Sequence, residues 1–470
     1  MSGKRILFID AINLSPHIET SMELVDLEVK KGNKVHYYFI GHALSLPPAW
    51  GISMKRKWWN ICFLPENRAA RLVRPTYFKN IRRLPINNDY INQREIPKNI
   101  YKIKELHYEG VQIGQAVFGD YIDCNKTYLI STEEDSLLVK NLIINAVQTI
   151  LFTKKILLKN EFDLVYIFNG RFTFNYPILK FCELNNVLYK IHERGSSKFT
   201  YFLEDFTRHN IDKVSKKITK IDLKNNKEIE IGHNFFRNKR NGIESSWVSF
   251  KKSTNLEKIK LPSNNRLVVF YTSSEFEFEA VSDQNQRNKE FVTQIAAIKK
   301  VVELTEELNF QLVVRVHPNM SNSIELLKEL QEISEKPKIT IFWPDDEVDS
   351  YDFLDLCSAV VTYGSTMGAE AMYWNKPCIL LQRAYYEKIE GLFIPKDALQ
   401  LKLIIMGLLE GTTEFKRNEQ QLLKFGYYNS TFGVPFKYYE PSTNGFHKGL
   451  FMGKNLQKSW LHEKILAFIN

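Results

Sequence analysis

The most constraining stretch of this chain is residues 360–381, which read VVTYGSTMGAEAMYWNKPCILL. It begins as an apolar strand, turns at Gly364, continues as a helix and returns as a second strand after Pro377. A strand–turn–helix–strand unit places its two strands in one parallel sheet, with the helix covering a face. The stretch therefore predicts an α/β fold built on a parallel sheet.

The same alternation of apolar strands and helices recurs in two halves of the chain. A chain of 470 residues exceeds what one hydrophobic core usually covers, so we expect two domains. A polar, lysine-rich stretch between about 210 and 262 separates the halves, and we place the boundary in the Leu261–Asn265 linker. We predict a first domain over 1–262 with an elaborated region at about 50–130, a second domain over 263–450, and a helix over 451–470 that returns to the first domain.

Composition limits the classes of function. Hydrophobic residues form 44% and charged residues 25% of the chain, an ordinary globular balance. The five cysteines are scattered, which fits reduced thiols and gives no metal cluster, and the N-terminus lacks the apolar run of a signal peptide. We therefore expect a cytoplasmic protein without a resident metal or other cofactor.

The formal net charge of +10 favours a polyanionic partner: a nucleic acid, an anionic lipid surface or a phosphate-bearing substrate. Part of the excess lies in residues 53–85, where Lys55, Arg56 and Lys57 directly precede Trp58 and Trp59. Basic residues beside tryptophans suit a peripheral contact with a membrane. A solvated loop whose tryptophans pack inward explains the same residues, and both interpretations stay open.

Polar and small side chains follow three predicted strands of the second half. Ligands of an open α/β sheet bind outside the carboxyl ends of its strands. Taken singly, a helix cap or a strand-ending turn explains each motif, and only their combination predicts a binding site. The residues are Ser273 and Ser274 after the first strand, Arg315, His317 and Pro318 after the second, and Tyr363, Gly364, Ser365 and Thr366 after the third.

These residue types suit a nucleotide. Gly364 permits the turn, and Ser365 and Thr366 can cap the following helix, whose first N–H groups attract phosphate. Arg315 and His317 would add donors to a phosphate. Glu370, one turn into the helix, would reach a ribose hydroxyl pair. Tyr363 precedes the turn and is predicted to stack near the base.

The motifs RVHP and TYGSTMGAEAMYWNKPCILL resemble the donor-binding half of GT-B glycosyltransferases of bacterial surface (capsule and O-antigen) polysaccharide biosynthesis, in particular the Kdo-transferase-like, capsule-biosynthesis group. The segment FNGRFTFNYPILKFCELNNVLYKIHERGSS is similar to the first domain of that group. The likeness covers about a third of the chain. It implies two Rossmann-like domains that face a central cleft.

The resemblance also implies residue roles. It places His317, Ser365 and Thr366 on the donor phosphates, Glu370 near the ribose, and Ser273 and Ser274 along the same pocket. An inverting transfer needs a carboxylate base in the first domain, for which Glu193 is the first candidate, Glu19 the second and Asp10 the third. Asn169 and Arg171 would bind the acceptor or an acidic sugar, and a structural role for Arg171 stays open. Glu193 pairing with a neighbouring arginine and serving only the domain's structure explains that residue equally well.

The function implied is transfer of a sugar from a nucleotide sugar, with a CMP-linked acidic sugar favoured, to a growing oligosaccharide or lipid-linked glycan at the inner face of the membrane. The transfer would be metal-independent and inverting. A polyol-phosphate transferase or a sugar-nucleotide 2-epimerase on the same fold is the alternative. A nucleic-acid-binding protein is disfavoured, because Lys and Arg are spread over the whole length and no nucleic-acid module is recognisable.

Overall fold

The computed structural model describes residues 3–12, 15–46, 73, 75–243, 266–281, 290–442 and 445–456. The chain forms two compact units: unit 1 is Met1–Arg208 with Phe432–Asn470, and unit 2 is His209–Thr431. The prediction of an α/β protein with two Rossmann-like domains is confirmed, because each unit is built on a largely parallel sheet. The central cleft stays a prediction.

The strands in chain order are β1 Arg5–Asp10, β2 Lys34–Phe39, β3 Tyr77–Asn80, β4 His107–Tyr108, β5 Val111–Gln112, β6 Leu164–Phe168, β7 Tyr189–Arg194, β8 Thr200–Glu204, β9 Leu267–Tyr271, β10 Gln311–Arg315, β11 Ile339–Phe342, β12 Ala359–Thr362, β13 Cys378–Leu380, β14 Val434–Pro435, β15 Tyr439–Ser442, β16 Gly445–Phe451 and β17 Lys454–Asn455.

The α-helices are α1 His17–Lys30, α2 Asn88–Asn92, α3 Gly114–Asn125, α4 Glu133–Lys159, α5 Tyr176–Leu184, α6 Ile211–Thr219, α7 Asn226–Arg240, α8 Glu275–Glu279, α9 Gln294–Glu307, α10 Ile324–Ser334, α11 Ser350–Leu356, α12 Met367–Tyr373, α13 Ala398–Glu410 and α14 Glu419–Thr431.

The sheet of unit 2 has the order β11-β10-β9-β12-β13, and all its neighbouring pairs are parallel. Numbered along the chain, this is the 3-2-1-4-5 order of a doubly wound fold, which reverses between β9 and β12. Every residue of β9 and β12 is buried, as expected for strands covered by helices on both faces. The carboxyl ends of β9 and β12 are therefore the switch point of unit 2, where such folds bind ligands.

The sheet of unit 1 has the order β14-β8-β7-β6-β1-β2-β3. Its five strands from β7 to β3 are parallel and follow the same 3-2-1-4-5 order, while β8 and β14 continue the sheet in antiparallel pairing. The switch point of unit 1 lies at the carboxyl ends of β1 and β6. The two units thus share one strand order.

The division between the units lies at Arg208/His209, and the predicted boundary at 262/263 was too late. Helices α6 and α7 belong to unit 2 because they pack on α14. Two glycines allow a close crossing of α7 and α14: a Cβ on Gly426 would lie 2.4 Å from the carbonyl oxygen of Gly232. Within α6 and α7 the lysines lie mainly on the exposed faces of the helices, while the predicted Leu261–Asn265 linker lies outside the described residues.

The chain returns to unit 1 at Phe432, earlier than the predicted helix over 451–470. Glu23 on α1 accepts hydrogen bonds at 2.9 Å from the backbone N–H groups of Lys437 and Tyr438. Tyr439 and Phe451 join the hydrophobic core around β1 and β2. The return segment is therefore part of unit 1, while residues 457–470 lie outside the described residues.

The predicted elaborated region at about 50–130 is described from residue 75 onward, apart from Val73. It contributes β3 to the sheet, the β4–β5 hairpin and α3. The Trp-bearing part of the 53–85 stretch lies outside the described residues.

One described helix, α4, has the length and mean hydropathy of a membrane span, and 61% of its apolar window is buried in the protein. Thr132 and Asp135 form a capping box at its start, in which each side chain accepts the other residue's backbone N–H at 3.0 Å. Apolar residues such as Val139 and Ile143 are buried, as is typical of a helix that packs in a protein core.

Candidate functional site

The loops on both sides of the unit 2 switch point are joined by Ser273. Its Oγ donates to the carbonyl oxygen of Tyr363 at 2.7 Å, which connects the loop after β9 to the loop after β12. Its backbone N–H donates to the side-chain oxygen of Gln294 at 2.6 Å. Ser273 therefore connects the two loops, and its hydroxyl already donates a hydrogen bond within the protein.

Ser274 differs from its neighbour. Its side chain is buried, and its Oγ has no hydrogen-bond partner among the described residues. A buried hydroxyl without a partner costs free energy, so native proteins rarely keep one without a reason. A ligand at the switch point would supply the missing partner.

Glu275 follows directly and was not among the residues predicted from sequence. Its carboxyl is buried and accepts the backbone N–H of Gln294 at 2.7 Å. Burial, with a smaller contribution from the charge of Glu279, raises the pKa of Glu275 to about 8. A carboxylate directly after two serines at a strand end was the available signal.

Arg315 does not have the predicted phosphate-binding geometry. Its guanidinium is buried and donates to the carbonyl oxygens of Trp343 and Asp346, in the loop after β11. Burial lowers its pKa. The side chain holds that loop in place because the last residue of β10 points toward it.

His317 is placed as a neutral donor. Its backbone N–H donates to Thr272 Oγ1 at 2.7 Å, and its Nδ1 accepts the backbone N–H of Asn319 at 3.1 Å. Burial, and then the charge of Arg315, lower the pKa of His317 to about 4. The neutral ring therefore carries its proton on Nε2, as a donor. Pro318 starts the 3₁₀ turn Pro318–Met320 that ends this strand.

The turn after β12 is built around Gly364, whose φ of +90° falls in the region that favours glycine. The backbone N–H of Ser365 donates to Thr362 Oγ1 at 3.0 Å, and Ser365 Oγ accepts that of Met367 at 3.4 Å. Thr366 is exposed and makes no side-chain cap bond to α12. Of the two predicted cap residues, only Ser365 accepts a backbone N–H of the helix with its side chain.

Glu370 and Tyr363 were predicted to contact the nucleotide. In the structure, both side chains form hydrogen bonds within the protein instead. Glu370 is buried and accepts a hydrogen bond from the hydroxyl of Tyr351, because its position in α12 faces the interior of unit 2. The Tyr363 hydroxyl lies 2.9 and 2.8 Å from the carbonyl oxygens of Phe291 and Val292. The predicted ribose contact of Glu370 and base stacking of Tyr363 do not fit this geometry.

Unit 1 collects buried acidic and imidazole groups at its own switch point. Asp10 ends β1 and accepts the Tyr37 hydroxyl at 2.9 Å, and burial raises its pKa to about 6 against the lowering effect of hydrogen bonds from Ser21 and Tyr37. Glu19, on α1, is buried and accepts Ser15 Oγ at 2.8 Å.

Glu193 ends β7 with both carboxylate oxygens engaged. One accepts the side-chain amide of Asn169, and the other accepts the backbone N–H of Arg194 at 2.9 Å. Asn169, which was predicted to bind the acceptor or a sugar, thus has its side-chain amide on Glu193. Arg171 does not pair with Glu193. Its guanidinium lies 2.8 Å from Asp123 Oδ2 and over the ring of Phe172.

Two histidines complete this cluster and were missed in the sequence. His17 Nδ1 lies 3.8 Å from Glu193 Oε1, and its ring packs 4.4 Å from that of Phe168. His192 Nε2 lies 3.4 Å from Ser21 Oγ. Burial lowers the pKa of His17 well below its ordinary value, with a further contribution from Arg194, and lowers that of His192 to about 3. Each stands beside a predicted carboxylate, in PHIE and HERG, which was the signal available.

Within the described ranges, no group of three His, Cys, Asp or Glu side chains is arranged to hold a metal ion. The site as described is built from hydroxyl, imidazole, amide and carboxyl groups.

Residues 282–401 match the family model of capsule polysaccharide biosynthesis proteins. The resemblance to capsule-biosynthesis proteins is confirmed over this segment. It covers about a quarter of the chain and includes β10 to β13, with His317 and Ser365. No curated protein matches the chain significantly.

Solved structures with similarity to the chain include KpsC, beta Kdo 2,4 transferase, of Thermosulfurimonas dismutans, at 12% identity over 57% of this chain and 79% of that one, with a TM-score of 0.39. The UDP-GlcNAc 2-epimerase of Methanocaldococcus jannaschii, in complex with UDP-GlcNAc and UDP, matches at 12% identity over 90% of this chain and 98% of that one, with a TM-score of 0.29. At these TM-scores neither structure supports the assignment of a fold or a function to this chain. The fold assignment rests on the strand order described above.

Proposed function

We propose that the protein is a glycosyltransferase that moves a sugar from a nucleotide-sugar donor to a growing surface glycan. The observation that carries the proposal is the pair of hydrogen-bond donors Ser274 and His317, which follow the adjacent strands β9 and β10 at and beside the unit 2 switch point. The second of these lies in the segment that matches capsule-biosynthesis proteins. Nucleotides bind at such switch points in doubly wound folds.

The donor-side chemistry is electrostatic. The Nε2–H of His317 and the hydroxyls of Ser274 and Thr366 are donors for the phosphate of a nucleotide sugar. Such donors stabilise negative charge as it develops on the departing nucleotide. The transfer is proposed to be inverting and metal-independent, with a CMP-linked acidic sugar as donor. Acid–base work falls to unit 1, where Asp10, Glu19 and Glu193 are buried together with two histidines.

The acceptor is proposed to be an oligosaccharide or lipid-linked glycan at the inner face of the membrane, which the basic 53–85 stretch would approach. Attraction of basic residues to anionic lipid headgroups supports this part of the proposal.

The test is incubation of the purified protein with CMP-, UDP- and GDP-linked sugars carrying a labelled sugar, with magnesium and with EDTA, and with an oligosaccharide acceptor extract. We expect one nucleotide to be released in step with label entering the acceptor, equally in EDTA. Release from no donor contradicts the proposal, and an isomerised nucleotide sugar formed without acceptor identifies an epimerase instead.

A further inference from the structure

Helix α6 of unit 2 buries one face and presents lysines on the other. The buried face consists of Ile211, Val214, Ser215 and Ile218. The opposite face carries lysines at the i, i+3, i+4 and i+7 spacing of a single helix side, namely Lys213, Lys216, Lys217 and Lys220. Seven helical residues span about 10 Å, so these charges form a short line. Two exposed lysines at the start of α7, Lys224 and Lys227, follow it, and we call the six together the lysine stripe.

The negative charges near the lysine stripe are mostly matched by other groups. The acidic residues between 211 and 230 are Asp212, Asp222, Glu228 and Glu230. Asp212 lies 2.5 Å from the guanidinium of Arg383, and Glu230 lies 2.8 Å from that of Arg237. The side chains of four lysines form no ion pair with any residue that the structure describes, namely Lys216, Lys220, Lys224 and Lys227. The stripe therefore keeps an excess of positive charge that the protein does not neutralise.

Exposed lysines on other helices of unit 2 have acidic partners. Lys299 pairs with Glu329, and Lys300 pairs with Glu303. Pairs of this kind are the common arrangement on a solvated helix face. The unmatched charge of the lysine stripe differs from that arrangement, and a line of one sign of charge attracts a partner of the opposite sign.

The lysine stripe begins beside the switch point of unit 2. Arg383, which pairs with Asp212 in the first turn of α6, lies in the loop after β13. Its carbonyl oxygen would lie 3.2 Å from a Cβ on Gly364, in the turn after β12. In the same loop, the hydroxyl of Tyr386 donates to the carbonyl oxygen of Ser365 at 2.5 Å. Helix α6 is thus attached to a loop that touches the proposed donor site, and the stripe runs from that loop along the surface of unit 2.

We propose that the lysine stripe binds the growing glycan, as a polyanion that gains one carboxylate with each acidic sugar added. This deepens the proposed function and rests on it, because an acidic donor sugar makes the acceptor more negative at every transfer. The carboxylates spaced along the glycan would face the ammonium groups spaced along α6. Lysine suits this task because its flexible stem lets a point charge follow an anion through many orientations. A chain that shifts by one sugar after each transfer needs such adaptable contacts.

The composition of the surface favours a glycan over the other polyanions. Helices that lie on a membrane direct aromatic and aliphatic side chains into the lipid. The exposed residues between 211 and 220 are three lysines, an aspartate and a threonine, and the apolar residues of α6 face the protein. Single-stranded nucleic acids are held by aromatic rings and arginines as well as by charge, and α6 contains neither.

The test measures binding of fluorescently labelled polygalacturonate, a glycan with one carboxylate on each sugar, to the full chain. We expect the wild type to bind it, to bind less with added salt because salt screens exposed charges, and not to bind the neutral glycan dextran. The triple variant Lys213→Gln, Lys216→Gln and Lys220→Gln should lose about 10- to 100-fold in affinity, because each lysine beside an anionic surface adds a modest attraction. Arginine at the same three positions should keep the wild-type affinity.

The matched control removes the same net charge from another surface of unit 2. Lys299→Gln, Lys328→Gln and Lys336→Gln replace three exposed lysines in and after α9 and α10. This variant should bind polygalacturonate as the wild type does. The double variant Lys216→Gln with Lys220→Gln, which changes two exposed side chains, replaces the triple variant if a melting curve shows that the latter does not fold.

Equal affinity of the wild type and the folded stripe variant for polygalacturonate contradicts the inference, and so does an equal loss in the control variant. Binding of the wild type to phosphatidylserine vesicles or to single-stranded RNA, with none to polygalacturonate, assigns the stripe to a different partner and also overturns it. Failure of the proposed function gives a distinct result. In that case no donor releases nucleotide, whatever the outcome of the glycan-binding measurement.

Discussion

The two units share one strand order and differ in what fills their switch points. In unit 2, the loops after β9, β10 and β12 present the serine hydroxyl of Ser274 and the neutral ring of His317. In unit 1, the ends of β1, β6 and β7 bring together buried carboxylates and two imidazoles of lowered pKa. The first set suits the binding of an anion and the second suits proton transfer. One architecture thus carries two chemistries, decided by a few residues at strand ends.

The largest effect is expected for Glu193→Ala, which tests whether unit 1 serves proton transfer and not nucleotide binding. We expect turnover to fall about 100- to 10,000-fold, because the proposed transfer loses a candidate general base, while nucleotide affinity stays at the wild-type level. Steady-state kinetics with a separate binding titration measures both. Glu183→Ala, at an exposed glutamate of unit 1, is the control. Loss of nucleotide affinity in Glu193→Ala would assign donor binding to unit 1.

The second prediction concerns the pH dependence of the free energy of unfolding. It compares the buried carboxyl groups of Glu275 and Asp10. The pKa of Glu275 is raised from 4.5 to about 8, so between these pH values the folded protein holds a proton that the unfolded chain has released. Stability therefore falls as pH rises through this window. Glu275→Gln should flatten the decline and be more stable at pH 8 by up to a few kcal/mol, because one pKa unit corresponds to about 1.4 kcal/mol.

Asp10→Asn provides the matched case in unit 1. The pKa of Asp10 is raised from 3.8 to about 6, so the wild-type decline should end near pH 6, and the gain in stability of the variant over wild type should grow from about pH 4 to pH 6 and stay constant above that pH. Chemical denaturation at pH 4, 6 and 8 measures both variants. An identical pH dependence in all three proteins would show that neither carboxyl holds its proton in the folded state.

The third prediction concerns His317→Ala. Loss of one hydrogen bond to a phosphate is expected to weaken nucleotide binding about 10- to 100-fold, since hydrogen bonds to charged groups contribute about 1.5 to 3 kcal/mol. Asn319→Ala is the control, because its backbone N–H, which binds His317 Nδ1, is kept. Equal affinities for the wild type and His317→Ala in calorimetry would remove His317 from the donor site.

The smallest expected effect separates the two serines after β9. Ser274→Ala removes a buried hydroxyl without a partner, so we expect the ligand-free protein to gain about 1 kcal/mol of stability and to lose part of its stabilisation by nucleotide. Ser273→Ala removes the bond to the Tyr363 carbonyl and should destabilise the ligand-free protein. Both free energies come from urea unfolding, and a loss of stability in Ser274→Ala would contradict the difference drawn here.

The sequence was sufficient for what depends on local pattern. Buried strands such as LVVFY at β9, alternating with helices, predicted two Rossmann-like domains, and the strand ends of unit 2 pointed to Ser274 and His317. Arg315 and Glu370 were assigned to the ligand because residue spacing does not reveal which way a side chain points. In the structure, one faces the loop after β11 and the other faces Tyr351.

The cluster of unit 1 was less accessible to such reasoning. His17 and Glu193 are far apart in the chain and meet only because α1 follows β1 while β7 lies two strands away in the same sheet. The boundary at Arg208 was missed for a related reason: the glycines that let α7 pack on α14 lie far apart in the sequence. Long-range contacts of this kind leave no periodic signal.

The measurement that tests the central claim most directly is a thermal-shift screen with CMP, CDP, UDP, GDP and ADP on three proteins: wild type, Glu193→Gln and His317→Ala. A ligand that binds only the folded state raises the melting temperature. We expect one nucleotide to stabilise the wild type and Glu193→Gln equally and His317→Ala much less. Stabilisation of His317→Ala equal to that of the wild type, or of no protein by any nucleotide, would contradict a nucleotide site at the unit 2 switch point.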